Sequence, residues 1–106
     1  MAKIKIPQKI TEGAFTYAIK LKPNVMADRH AAGFIDPIAE ELQVDPHLPP
    51  NERMVTLCHE VGHFIERVYS LNISDDDTDR LAQGFACFLQ QCDIEFDWSS
   101  IKGLSQ

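Results

Sequence analysis

Asn51-Glu52-Arg53-Met54-Val55-Thr56-Leu57-Cys58-His59-Glu60-Val61-Gly62-His63-Phe64-Ile65-Glu66-Arg67-Val68-Tyr69 is the stretch that decides how this chain folds. On a helical wheel, at about 100° per residue, Met54, Leu57, Cys58, Val61, Phe64, Ile65, Val68 and Tyr69 share one broad apolar arc. His59, His63 and Glu66 fall together just past its edge. The pattern predicts a helix reaching about Tyr69. Asn51, after Pro49 and Pro50, has N-cap chemistry, and Asn72 marks the stop.

Downstream, Ser74 is an N-cap candidate, with Asp77 three residues on in a capping-box-like arrangement. Asp75, Asp76 and Asp77 stand where the positive end of a helix dipole favours them. This second helix is predicted to run to about Gln91, with Leu81, Ala82, Phe85, Ala86, Phe88, Leu89 and Cys92 as its apolar arc. The tail from Ile94 to Gln106 carries Phe96, Trp98 and Ile101, which are expected to dock on the body.

Upstream, the chain reads as short strands. Lys3 to Ile6 alternates before Pro7, and Phe15 to Leu21 is rich in β-formers and stops at Pro23. Ala32 to Asp36 and Glu41 to Val44 are two short candidates joined by a hairpin connection from Pro37 to Glu40. Asn24 to His30 reads as a turn or loop, and Asp45 to Pro50 as a loop. Strands first and helices second is an α+β order: a small antiparallel or mixed sheet packed on two main helices.

The chain has 106 residues, enough for a single domain spanning 1–106 with one modest core. Hydrophobic residues at 44% and charged residues at 25% argue against disorder. A net charge of −6 with scattered Lys and Arg disfavours a nucleic-acid partner. No apolar run suits a signal peptide or a membrane span, so no membrane role is expected. Cys58, Cys87 and Cys92 are odd in number and form no CxxC pair, which fits free thiols in a reducing cytoplasm.

His59-Glu60-Val61-Gly62-His63 is an HExxH motif on the first helix. Histidines four apart place their rings one turn apart on one face, within reach of one tetrahedral zinc ion at about 2.0–2.1 Å. Glu60 points away from direct ligation and can serve as general base toward a metal-activated water. Gly62 allows another backbone or a ligand to come close. The plainer alternative is two surface histidines on an amphipathic helix. The motif's position inside a clear helix, with a suitable carboxylate on the next, favours the metal.

Thr56 to Phe64, followed by Asn72-Ile73-Ser74-Asp75-Asp76-Asp77-Thr78-Asp79-Arg80-Leu81-Ala82-Gln83-Gly84, resembles the short HExxH proteins of phages and bacterial mobile elements, which are similar to minimal gluzincins. The segments Gly33–Asp36 and Leu42–Asp45 resemble theirs too. The resemblance implies a zincin-like fold with a sheet above the active-site helix. It implies a third metal ligand from the following helix, where those proteins carry glutamate and this chain carries Asp79. The wheel independently puts Asp79 at the border of the apolar arc, beside Ala82 and Ala86, whose small side chains permit close helix packing. Asp75, one turn earlier, is the main rival. Glu66 reads as a partner of the histidines or a surface residue. His30, His47, Tyr17, Arg67 and Tyr69 are weaker candidates.

The expectation is a zinc-dependent hydrolase, a metallopeptidase acting on a peptide or protein, with Glu60 as catalytic base and His59, His63 and Asp79 as ligands. The alternative is a non-catalytic zinc-binding regulatory or structural module that binds a protein partner. A metal-free domain that kept the motif is the third reading. The sequence leaves the oligomeric state and the natural substrate open.

Overall fold

A computed structural model describes residues 2–23 and 31–101. Within these residues, six strands and two helices follow in the order β1 (Ala2–Lys5), β2 (Lys9–Glu12), β3 (Phe15–Leu21), β4 (Gly33–Asp36), β5 (Glu41–Val44), α1 (Pro50–Tyr69), α2 (Asp75–Gln91) and β6 (Ile94–Asp97). The class is α+β, as expected, but the strands form two sheets. The larger has the order β2-β3-β5-β4 and is mixed. β2 pairs antiparallel with β3, β3 parallel with β5, and β5 antiparallel with β4. The smaller pairs β1 with β6 in parallel.

Two strands were not anticipated. β2 turns into β3 through Gly13, whose φ of +57° suits the tight connection. β6 alternates Ile94-Glu95-Phe96-Asp97 but finds its partner at the other end of the chain, so nothing local announces it. The β4–β5 hairpin has its expected turn. Asp36 Oδ1 accepts from the N–H groups of Ile38 and Ala39 at 3.0 Å, and Glu40 sits at φ +57°. The reading of Asn24 to His30 as a turn or loop, and His30 itself, lie outside the described residues.

α1 begins two residues earlier than expected. Pro49, not Asn51, is the N-cap, and no side chain caps the end. Pro50 occupies the first turn, where its missing N–H leaves no hydrogen bond unmade. α1 ends at Tyr69, but its stop is Ser70 in the left-handed region, two residues before Asn72. Ser74 caps α2 as expected, its Oγ accepting from Asp77 N–H at 3.1 Å.

The core lies between the larger sheet and α1, built on Tyr17, Ile19, Leu21, Leu42, Val44, Leu57 and Phe64. The alternating burial of β3 delivers Tyr17, Ile19 and Leu21 to it. Trp98 and Ile101 are buried and Phe96 packs beside them, so the tail docks as expected. The apolar arc expected of α2 does not all reach the core. Thr78, Ala82 and Ala86 are its buried residues, while Leu81, Phe85 and Phe88 face outward. Small side chains let the helices close on each other and leave the large ones on the rim. Gly62 marks the approach: a Cβ on it would stand 3.2 Å from the Thr78 methyl.

Candidate metal and catalytic site

One turn of α1 separates His59 from His63, and their rings lie with centroids 4.6 Å apart. The two Nε2 atoms face each other at 2.8 Å. The opposite nitrogen of each ring meets a carboxylate. His59 Nδ1 stands 3.2 Å from Asp79 Oδ1 on α2. His63 Nδ1 stands 3.0 Å from Glu66 Oε2, one turn further along α1.

These contacts fix the chemistry of the pair. A carboxylate only accepts, so the His59 Nδ1 that hydrogen-bonds Asp79 carries the hydrogen, and the Glu66 carboxylate beside His63 Nδ1 favours the same tautomer there. In the neutral rings both Nε2 atoms then present lone pairs to each other. Two lone pairs at that distance repel unless a proton or a cation lies between them. A histidine whose Nδ1–H is held by a carboxylate is also the arrangement that orients a ring for metal ligation through Nε2.

The carboxylates are themselves held. Thr78 Oγ donates to Glu66 at 2.8 Å, tying α2 to α1 beneath His63. Gln83 donates to Asp79 Oδ2 at 2.8 Å from one turn along α2. Neither Thr78 nor Gln83 was singled out from the sequence. Gln83 carried a readable signal, since it lies four residues after Asp79. The rival Asp75 is highly exposed and stands 3.8 Å from His63 Nε2.

Among the described residues, no three His, Cys, Asp or Glu side chains stand as a finished ligand set. The two Nε2 atoms are closer than the separation of about 3.4 Å that two bonds of about 2.0–2.1 Å to one tetrahedral ion require. Asp79 meets His59 at Nδ1, the nitrogen that does not face His63. The donor types suit zinc; ligation by all three asks the rings to part slightly and the Asp79 side chain to rotate.

Glu60 turns inward, away from the histidines' carboxylate partners. It is 7% exposed, and burial pushes its carboxyl up to about 7. It borders a cleft of about 420 Å³ that also contains His59, His63 and Asp79, with Gly33, Phe34 and Ile35 along the other side. β4 is an edge strand, and this cleft runs beside it. Asp45 N–H donates to the Ala32 carbonyl at 3.0 Å, which sets the phase of the ladder. Phe34 and Asp36 therefore pair with β5, and Gly33 and Ile35 turn their peptide groups toward the open edge.

The weaker candidates lie elsewhere. Tyr17 packs on Phe64 in the core, with ring centroids 4.7 Å apart. Tyr69 donates to Glu12 at 2.9 Å. Arg67 lines a separate hollow with Phe15 and Val68. His47 contacts Asp45 at 3.0 Å within its own loop. None of these borders the cleft. No helix among the described residues is long and apolar enough to cross a membrane. Comparison with family models, with curated proteins and with solved structures finds no match.

Proposed function

We propose that this chain is a zinc-dependent peptidase whose metal is held by His59 and His63 through Nε2 and by Asp79. The observation that carries the reading is the facing pair of Nε2 atoms at 2.8 Å, each ring having its Nδ1 engaged by a carboxylate. A cation relieves the lone-pair conflict, and two imidazoles with a carboxylate are a donor set typical of zinc. When bound, the metal supplies Lewis acidity, polarising a carbonyl and lowering the pKa of water.

The chain's own residues have separable tasks. Glu60 reaches the cleft next to His59 without sharing its carboxylate partner, so it is placed to take the proton from an attacking water and return it to the departing amine. Glu66 holds the His63 ring in orientation and Thr78 holds Glu66, while Gln83 braces Asp79, which leaves His59 Nδ1 when it turns to the metal. β4 offers the outward peptide groups of Gly33 and Ile35 to an extended substrate, which main-chain hydrogen bonds can align without demanding particular side chains. Thr56 and Val55 complete the wall opposite.

The test compares wild-type protein with Glu60→Gln on an unstructured protein substrate and a peptide library, with zinc measured in both. The expected outcome is cleavage by wild type, a loss of about 10²- to 10⁴-fold in the variant, and equal zinc. Equal cleavage by both, or none by zinc-loaded wild type across the library, defeats the peptidase reading. The latter result with zinc retained points instead to the non-catalytic metal module.

A further inference from the structure

The outer face of α2 is the largest apolar feature left uncovered among the described residues. Leu81, Phe85 and Phe88 are 55%, 57% and 61% exposed, and Leu71 and Ile73 in the interhelix connection are 48% and 37% exposed. They rim a groove of about 580 Å³ floored by α1, with Leu57, Val61 and Ile65 beneath. Leu81, Gly84, Phe85 and Phe88 follow the spacing of one helical seam.

Gly84 stands in the middle of that seam. A Cβ there would meet nothing within 4 Å. Glycine is among the poorest helix formers in a helix interior, and the described residues offer no packing reason for it here. Gly62, by contrast, faces Thr78 on the neighbouring helix. A glycine with open space in front of it, flanked by exposed Phe and Leu, suits the close approach of another backbone.

We propose that α2 is the interface of a two-fold dimer, in which two copies of this chain cross antiparallel at Gly84. The areas agree. A Phe presents about 150–250 Å² when free, so the five apolar side chains together expose on the order of 500 Å². A stable interface takes about 800 Å² from each partner, so the remainder has to come from the polar residues beside the seam. The charges set the direction. Asp75, Asp76 and Asp77 crowd one end of α2. At about 1.5 Å per residue, an antiparallel crossing holds the two acidic ends more than about 20 Å apart, whereas a parallel one would bring them together. The same crossing lays Leu81 of each copy against Phe88 of the other. Asp79, the proposed ligand on α2, borders the cleft and not this groove, so the interface rests on no assumption about catalysis.

Sedimentation velocity and light scattering between about 1 and 200 µM test this. Wild type is expected to be a dimer in the upper range. Phe85→Asp combined with Phe88→Asp is expected to be monomeric, with an unchanged circular dichroism spectrum and unchanged zinc content. Gly84→Leu is expected to weaken association at least tenfold. Gly84→Ala is expected to raise the melting temperature of the monomeric Phe85→Asp, Phe88→Asp background, because its Cβ enters open space. A wild type that stays monomeric throughout overturns the proposal. So does a dimer that survives both the double substitution and Gly84→Leu.

Discussion

Gly33 lies so close to α1 that a Cβ placed on it would stand 2.6 Å from the Thr56 Cγ2 methyl. The Gln43 carbonyl would be 2.9 Å away and the Glu60 Cγ 3.1 Å. This contact presses the edge strand onto the helix that carries the histidines. It also borders the buried stem of Glu60, so the spacing between the strand and that carboxylate depends on a side chain that is missing.

Gly33→Ala is therefore expected to destabilise the fold by about 1–3 kcal/mol, the range for overpacking a tight site. Thr56→Ser removes the methyl but not the Gln43 carbonyl, which belongs to the backbone of β5. The double variant is expected to recover only part of the loss. Urea unfolding of the four proteins measures this. Full recovery would show that β5 yields and that the strand is less firmly held than its contacts imply.

Metal analysis of purified protein is expected to find about one zinc per chain, lost in His59→Ala and in His63→Ala. Asp79→Ala is expected to weaken zinc in a chelator competition far more than Asp75→Ala, because Asp79 touches His59 and is braced by Gln83, while Asp75 is exposed. The reverse order would give Asp75 the third position and leave Asp79 the task of orienting His59. Full zinc in the double histidine variant would remove the site altogether.

Two proline substitutions separate scaffold from substrate contact on β4. Phe34 pairs with Gln43 of β5, so Phe34→Pro is expected to lose a ladder hydrogen bond and stability with it. Ile35 turns its N–H toward the open edge, so Ile35→Pro is expected to keep the ladder and weaken peptide binding. Calorimetric titration of a peptide into the Glu60→Gln background reads the second effect without turnover. Unaltered binding in a folded, zinc-loaded Ile35→Pro protein would show that substrate runs elsewhere.

Burial raises the Cys58 thiol above its ordinary value, whereas Cys87 and Cys92 are exposed. A higher pKa leaves less thiolate at any pH below it, and the thiolate is the reactive form. Iodoacetamide at pH 8 is expected to label Cys87 and Cys92 first and Cys58 last, as mass spectrometry of timed samples will show. Early labelling of Cys58 would mean that α1 opens locally more often than its packing suggests.

Helix periodicity made α1 and α2 readable, because apolar spacing over five and four turns leaves little room for another structure. It also gathered His59, His63 and Asp79, since one turn of helix and one helix border are local facts. What remained hidden was set by partners distant in sequence. β6 is a strand only because β1 lies beside it. The wheel put Leu81, Phe85 and Phe88 on one apolar arc with Ala82 and Ala86, and hydrophobicity cannot say which part of such an arc meets a neighbour. The burial of Glu60 was not readable, because one of its neighbours is Gly33, on a strand 27 positions earlier. The contact of Asp79 with Nδ1, rather than the Nε2 side, depends on ring orientation, which spacing does not encode.

The pairing of Ala2 with Ile94 has a consequence for how the molecule comes into being. Chains are synthesised from the N-terminus at about 5–20 residues per second, so β1 emerges seconds before the strand it pairs with. Every residue of β1 is exposed even in the finished fold, and the long loop closed by the β1–β6 contact costs entropy that only late packing can offset. The hairpins and the α1–α2 pair join near neighbours and form without it. The earliest of the described strands to be made is thus the latest to be fastened, and the nascent chain carries an unpaired edge until the segment around Trp98 arrives to close it.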